Sequence, residues 1–212
     1  MEDPSIKEKI LKGSEELFMK YGVRSISMDD VARHLSVSKK TLYQHFTDKD
    51  EIVQKVSQAH CDRNQIESEL ITANSENAID ELARLSIMLK KQMEELNPSL
   101  LFDLQKYHPA AWAVWLEFKS KCVRESVVRN LRQGIAEGHF RDELNSEILA
   151  TARIILMEVA FDEQFFPRDK FEIVEVQSQL FDHFVFGICT EKGRKLYTKY
   201  RAEIANHETI PK

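Results

Sequence analysis

The chain has 212 residues, of which 42% are hydrophobic and 31% charged, enough to bury a core without disulfides or metals, as one large domain or a small one fused to a larger. A net charge of −5 excludes a basic coat for nucleic acid, and three widely spaced cysteines (Cys61, Cys122, Cys189) exclude a disulfide framework and read as buried thiols in a reducing compartment. No apolar run reaches the ~18 residues that cross a bilayer, and Met1-Glu2-Asp3-Pro4 does not open a signal peptide, so the expectation is a cytoplasmic protein with no membrane partner.

Taken in chain order, Ser5 to Tyr21 places Ile6, Ile10, Leu11, Leu17, Phe18 and Tyr21 on one helical stripe, with Gly22 as a left-handed cap. Ser27 precedes Met28-Asp29-Asp30 and can cap a short second helix carrying Val31, Ala32 and Leu35. The pattern breaks at Ser36-Val37-Ser38, and Ser38 can cap a third short helix holding Leu42, Tyr43 and Phe46. Thr47-Asp48 is the next break, before a fourth helix from about Lys49.

Helical periodicity continues over Asn77–Leu96. Asn97-Pro98 opens a short helix to about Tyr107, and His108-Pro109 opens a long one through Trp112, Trp115, Phe118, Cys122 and Ile135, ending at Gly134 and Gly138. Two apolar helices, Asn145–Phe166 and Phe171–Cys189, are separated by Pro167, and the polar tail from Gly193 continues only briefly as helix. The fold class is all-α: an N-terminal three-helix helix-turn-helix domain plus a larger C-terminal helical bundle. The functional boundary falls near residue 50, with 1–50 as the DNA-binding part and 51–212 as the ligand-binding and dimerisation part.

Short helices are marginal alone, so the first three must share one small core. Their tight turn, with apolar Val37 inside it, is helix-turn-helix geometry. Once Leu42 and Phe46 face inward, Lys39, Lys40, Thr41, Tyr43, Gln44 and His45 lie outward, within a stretch from Val31 to Thr47 that carries no acid. Lys39 and Lys40 taken as an isolated pair fit a solvated helix face better than a DNA contact, and Tyr43 reads equally as a half-buried core aromatic.

Val37-Ser38-Lys39-Lys40-Thr41-Leu42-Tyr43-Gln44-His45-Phe46, followed by Asp48-Lys49, resembles the recognition region of TetR-type transcriptional regulators, and the match extends over about residues 6 to 55. The resemblance implies that Ser38, Lys39, Lys40, Thr41, Tyr43 and His45 contact DNA from the third helix, and that Ser27 and Lys49 contact phosphates. It implies double-stranded operator DNA as partner, a homodimer, a repressor released by a small apolar or aromatic effector, and no cofactor, metal or catalytic residue. Two departures stand out. Ser36 occupies a turn position where relatives often have glycine, so strain is expected there, and Lys40 stands where a small residue is common.

The last two apolar helices carry more hydrophobic side chains than one core-facing stripe needs, which suggests a dimer interface through Ile154, Phe161, Val174, Phe181, Phe184, Val185 and Ile188. A central helix of a monomer is the other reading. Met88, Phe102, Tyr107, Trp112, Trp115, Phe118, Met157 and Phe161 form a candidate effector pocket, or are plain core. Enzyme readings find no support: none of the seven histidines follows an acid by three residues, as a di-iron bundle would require, and no HExxH, GxSxG or phosphate-loop motif occurs. The alternative function is a TetR-like DNA-binding adaptor or nucleoid-associated protein that takes no effector.

Overall fold

The computed structural model describes residues 5–97 and 99–208, and among these the regular structure is helical, joined by one isolated antiparallel bridge between Phe140 and Cys189. Contacts divide the chain into two compact units. The first is built from the chain up to Asn64 together with Glu95–Phe118, and the second from Gln65–Glu94 with the chain from Lys119 onward.

In the first unit, α1 (Ile6–Tyr21) begins with a capping box: the Ser5 hydroxyl accepts from the Glu8 amide while Glu8 accepts from the Ser5 amide. It ends at Gly22, whose φ of 78° is positive as expected, but whose ψ of 152° is extended and not left-handed helical. Space is tight there as well, since an added Cβ would lie 3.0 Å from Ser99 Oγ. Asn97 closes the same helix end from across the unit, its backbone amide donating to Met19 O (3.0 Å) and its side-chain amide to Lys20 O (3.2 Å).

Helix α2 (Met28–His34) and α3 (Lys39–His45) follow, then α4 (Lys49–Asn74), whose residues up to Asn64 belong to this unit and which Asp48 caps by accepting from the Glu51 amide at 2.9 Å. Also in this unit are α6 (Leu100–Tyr107) and α7 (Pro109–Phe118). The expected proline start of α6, Pro98, lies outside the described residues. Ile10, Phe18, Val31, Leu42, Phe46, Ile52, Val53, Leu104 and Ala111 make one core, with Leu35, Val37 and Trp112 packed half-buried against it.

The second unit holds α5 (Ala78–Glu95), α8 (Arg124–Ala136), α9 (Ser146–Val159), α10 (Ile173–Ile188) and α11 (Glu191–Glu208). The long helix expected from Pro109 is interrupted at Lys119–Val123, where it widens into a π-helical segment. Gly138 (φ 69°) is the true C-terminal stop of α8, with the His139 amide donating back to Gly134 O at 2.9 Å. Gly134 is instead a packing site inside the helix, because a Cβ there would sit 2.2 Å from the buried Phe140 ring.

Helix α9 stops at Val159, earlier than periodicity suggests, since Asp162 accepts from the Gln164 amide (2.8 Å) and turns the chain. The tail runs further than expected: Tyr197 is fully buried, and Leu196, Tyr200 and Ile204 pack beside it, so one apolar face carries α11 to Glu208. Of the three thiols, Cys61 and Cys189 are buried, while Cys122 is only half-buried, with Sγ 3.2 Å from Gln65 Oε1. Among the described residues, no helix is long and apolar enough to cross a membrane.

Candidate nucleic-acid interface

The turn between α2 and α3 explains why α3 can be presented outward. Ser36 lies at φ 55°, the one non-glycine residue with positive φ among those described. Its amide donates to Arg33 O (3.2 Å), and the Val37 amide donates to Ala32 O (3.0 Å). This is the paired closure that normally ends a helix at glycine, here built on serine, which pays a left-handed penalty of about 1–2 kcal/mol. Val37 then folds back onto the core, and the next residue starts α3 in a new direction.

Serine caps fix both short helices. Ser27 Oγ accepts from the Asp30 amide (3.2 Å) and donates to Asp30 Oδ2 (2.6 Å), and the Ser27 amide also donates to that carboxylate (2.9 Å). These bonds hold the Asp30 carboxyl below its usual range. Ser38 Oγ accepts from the Thr41 amide at 3.0 Å and lies 2.7 Å from Thr41 Oγ1.

The anchors of α3 are Leu42, fully buried, and Phe46, 2% exposed. With that side inward, Lys39, Lys40, Tyr43 and Gln44 are exposed, and Thr41 and His45 are half-buried. Tyr43 keeps 49% of its surface in solvent, so it is no core aromatic in this chain.

The cations on this face are not equivalent. Lys39 Nζ lies 2.9 Å from the Asp29 carboxylate of α2, a hydrogen bond that raises its pKa. Lys40 is exposed and has no hydrogen bond or ion pair among the described residues. Lys49 is half-buried; its ammonium donates to Val23 O at 2.6 Å, and burial lowers its pKa. Asp29 is the residue that sequence reasoning missed: its role as a helix-start acid was visible, but its position beside Lys39 depends on how α2 and α3 pack.

The matches with known proteins agree with this geometry. Residues 10–56 match the family described as bacterial regulatory proteins, tetR family. Over those residues the chain is similar to that family. It is a helix-turn-helix transcriptional regulator. YvaF, an HTH-type transcriptional regulator of Bacillus subtilis (strain 168), is 27% identical over 180 residues, 79% of this chain and 88% of the relative. The HTH-type transcriptional repressor KstR2 of Mycobacterium tuberculosis is 23% identical over 144 residues, covering 66% of this chain and 72% of its own. A transcriptional regulator from Saccharomonospora viridis, solved in complex with choline, superposes with a TM-score of 0.72 at 16% identity over 87% of this chain and 98% of that one.

The remaining candidate residues of the chain divide between its units. Phe102 (56% exposed) and Tyr107 (39% exposed) are surface aromatics of α6, flanking Lys106, whose ammonium lies 5.3 Å from each ring. Trp112, Trp115 and Phe118 are half-buried on α7, with the Trp115 and Phe118 ring centroids 5.9 Å apart. In the second unit, Met88, Met157 and Phe161 are half-buried, Phe161 packing against Ala160, Ile173 and Val176.

Of the side chains expected at a dimer interface, Phe181, Phe184, Val185 and Ile188 lie in the core of the second unit of a single chain. That placement accounts for the apolar excess of α10 without a partner. Ile154, Phe161 and Val174 are half-buried. On α9 and α10 the large apolar side chains left in solvent are Ile148 (66% exposed), Ile155 (56%) and Phe186 (38%); Ile66 and Leu70 on α4, Leu116 on α7, and Phe165 and Phe171 in the chain between α9 and α10 are exposed as well.

Proposed function

We propose that this regulator is a homodimeric repressor that binds operator DNA through α3 and releases it when a small apolar or aromatic effector binds the helical part. The observation that carries the reading is the outward face of α3: Lys39, Lys40, Tyr43 and Gln44 project from a helix whose opposite side is pinned by Leu42 and Phe46. Within it, Lys40 and the caps Ser27 and Ser38 contact phosphates, and Lys49 does so with the ammonium protons that Val23 leaves over. Thr41, Tyr43 and His45 lie deeper and meet base edges. Lys39 exchanges its bond to Asp29 for a phosphate on docking.

Residues 1–50 act as the reading head and 51–212 as the part that dimerises and senses. A second copy is required because one seven-residue helix offers few contacts, whereas two heads about 34 Å apart read successive major grooves. The proposed interface uses the exposed isoleucines of α9 with Phe186 of α10, and Ile154, Phe161 and Val174 at its margin. KstR2 is named a repressor, and the Saccharomonospora viridis regulator was solved with a small cation; both support a repressor that answers to a ligand.

Fluorescence anisotropy with the DNA upstream of the chain's own gene tests the reading. Saturable binding that outlasts a large excess of unrelated duplex is expected, and loss of binding on adding an effector. Binding no tighter than to unrelated duplex would overturn operator recognition. Tight binding that no compound relieves would leave a DNA-binding adaptor without an effector.

A further inference from the structure

Arg153 is the most unusual polar residue in the second unit. It sits on α9, 3% exposed, on the side that also carries buried Ala150 and faces away from Ile148 and Ile155. Its guanidinium stacks on the Phe181 ring, 4.9 Å from the centroid. Nη1 is buried and has no hydrogen-bond partner, and among the described residues no carboxylate lies within ion-pair distance of the group. Tyr197, the other polar neighbour, already donates its hydroxyl to Asp182 (2.9 Å). Asp182 is in turn engaged by Arg201. Burial, opposed in part by Tyr197, lowers the Arg153 pKa to about 10, still far above neutrality, so the group remains a cation.

A buried charge normally has a partner, because desolvation is uncompensated otherwise. The other buried charges of this unit do: Glu81 is held by Arg129 at 2.6 Å and Asp80 by Arg84 at 2.9 Å. Arg153 breaks that rule inside the part of the chain assigned to effector sensing. A guanidinium edge with an unspent donor suits a planar carboxylate, which can take two parallel N–H bonds. The Phe181 ring beneath the guanidinium offers apolar contact to whatever carries that head.

We propose that Arg153 is the anchor for an anionic effector, a carboxylate head on an apolar body, which supplies the counter-charge that Arg153 lacks among the described residues. The inference rests on the effector reading above and narrows it: the ligand is an amphipathic acid, not a neutral hydrocarbon or a cation.

Calorimetry with decanoate and 4-butylbenzoate, each against the matching alcohol, tests this on the wild-type chain and on Arg153→Met and Arg153→Lys. Wild type should bind at least one acid tenfold or more tightly than its alcohol, and the methionine variant should lose that preference while still taking up the alcohol. The lysine variant should keep part of it. Without ligand, Arg153→Met should melt at or above the wild-type temperature, since it removes an unpaired buried charge. A melting temperature lowered by several degrees, or acids and alcohols bound alike or not at all by wild type, would overturn the proposal. Preference for decyl phosphate over decanoate would overturn the carboxylate in favour of a phosphate. DNA release is read separately: an acid that binds through Arg153 yet leaves the DNA complex intact refutes the effector reading and leaves the anion site standing.

Discussion

Replacing Lys40 with glutamine isolates the uncommitted cation of α3. The side chain is exposed and bonded to nothing described in the chain, so its loss should leave stability within about 0.5 kcal/mol of wild type. Its effect should appear in the salt dependence of DNA binding. Each phosphate contact contributes about 0.9 to the log–log slope, and a dimer has two copies, so the slope should fall by about 1.8. Between 50 and 200 mM salt, a fourfold range or about 0.6 in log units, wild-type affinity should therefore fall about 12-fold more than that of the variant. Asp29→Asn supplies the opposite perturbation: it frees Lys39 from its 2.9 Å bond, so affinity should rise. Fluorescence anisotropy titrations at four salt concentrations read both. An unchanged slope for Lys40→Gln, together with unchanged affinity for Asp29→Asn, would refute the assignment of this face to DNA.

Three further outcomes concern the scaffold. Gly134→Ala drives a Cβ into the buried Phe140 ring, so overpacking of about 1–3 kcal/mol should exceed the gain of up to about 1 kcal/mol in helix propensity, visible as a lower urea midpoint. Ile148→Asp combined with Ile155→Asp should give folded monomers in analytical ultracentrifugation, whereas Phe184→Asp should unfold the second unit; a dimer surviving the double substitution would place the interface elsewhere. Burial pushes the Glu15 carboxyl up, but bonds from His60 and Arg63 outweigh it and hold it below 4.5. Its stabilisation is therefore present above pH 4.5 and lost as pH falls through the lower folded value. Glu15→Gln should flatten that part of the acid limb in a pH series of thermal melts, and an unchanged limb would show that the carboxyl gains nothing on folding.

The reading head was legible because its determinants are local. Ser27, Ser38 and Asp48 each cap a helix within three residues of themselves, and Leu42 and Phe46 are spaced to face the same side. Strain at Ser36 was equally local, a turn position that needs positive φ. What sequence could not supply depends on chain segments far apart. Lys49 reaches a carbonyl 26 residues earlier, and Asn97 closes the end of α1 from 77 residues away. The apolar run of α10 looked like surplus for a second chain, yet Phe181, Phe184, Val185 and Ile188 are used within one chain, because α5, α8 and α11 contribute to the same core. Arg153 escaped notice for the converse reason: nothing in an arginine's neighbours along the sequence tells that no acid will meet it in space.

Methylation interference on the upstream DNA tests the central claim most directly, because N7 of guanine lies in the major groove. The account predicts two clusters of blocked guanines, about 10 base pairs apart centre to centre, both lost when Tyr43 and Lys40 are replaced by alanine. Binding indifferent to N7 methylation, or a single cluster that survives those substitutions, would contradict it.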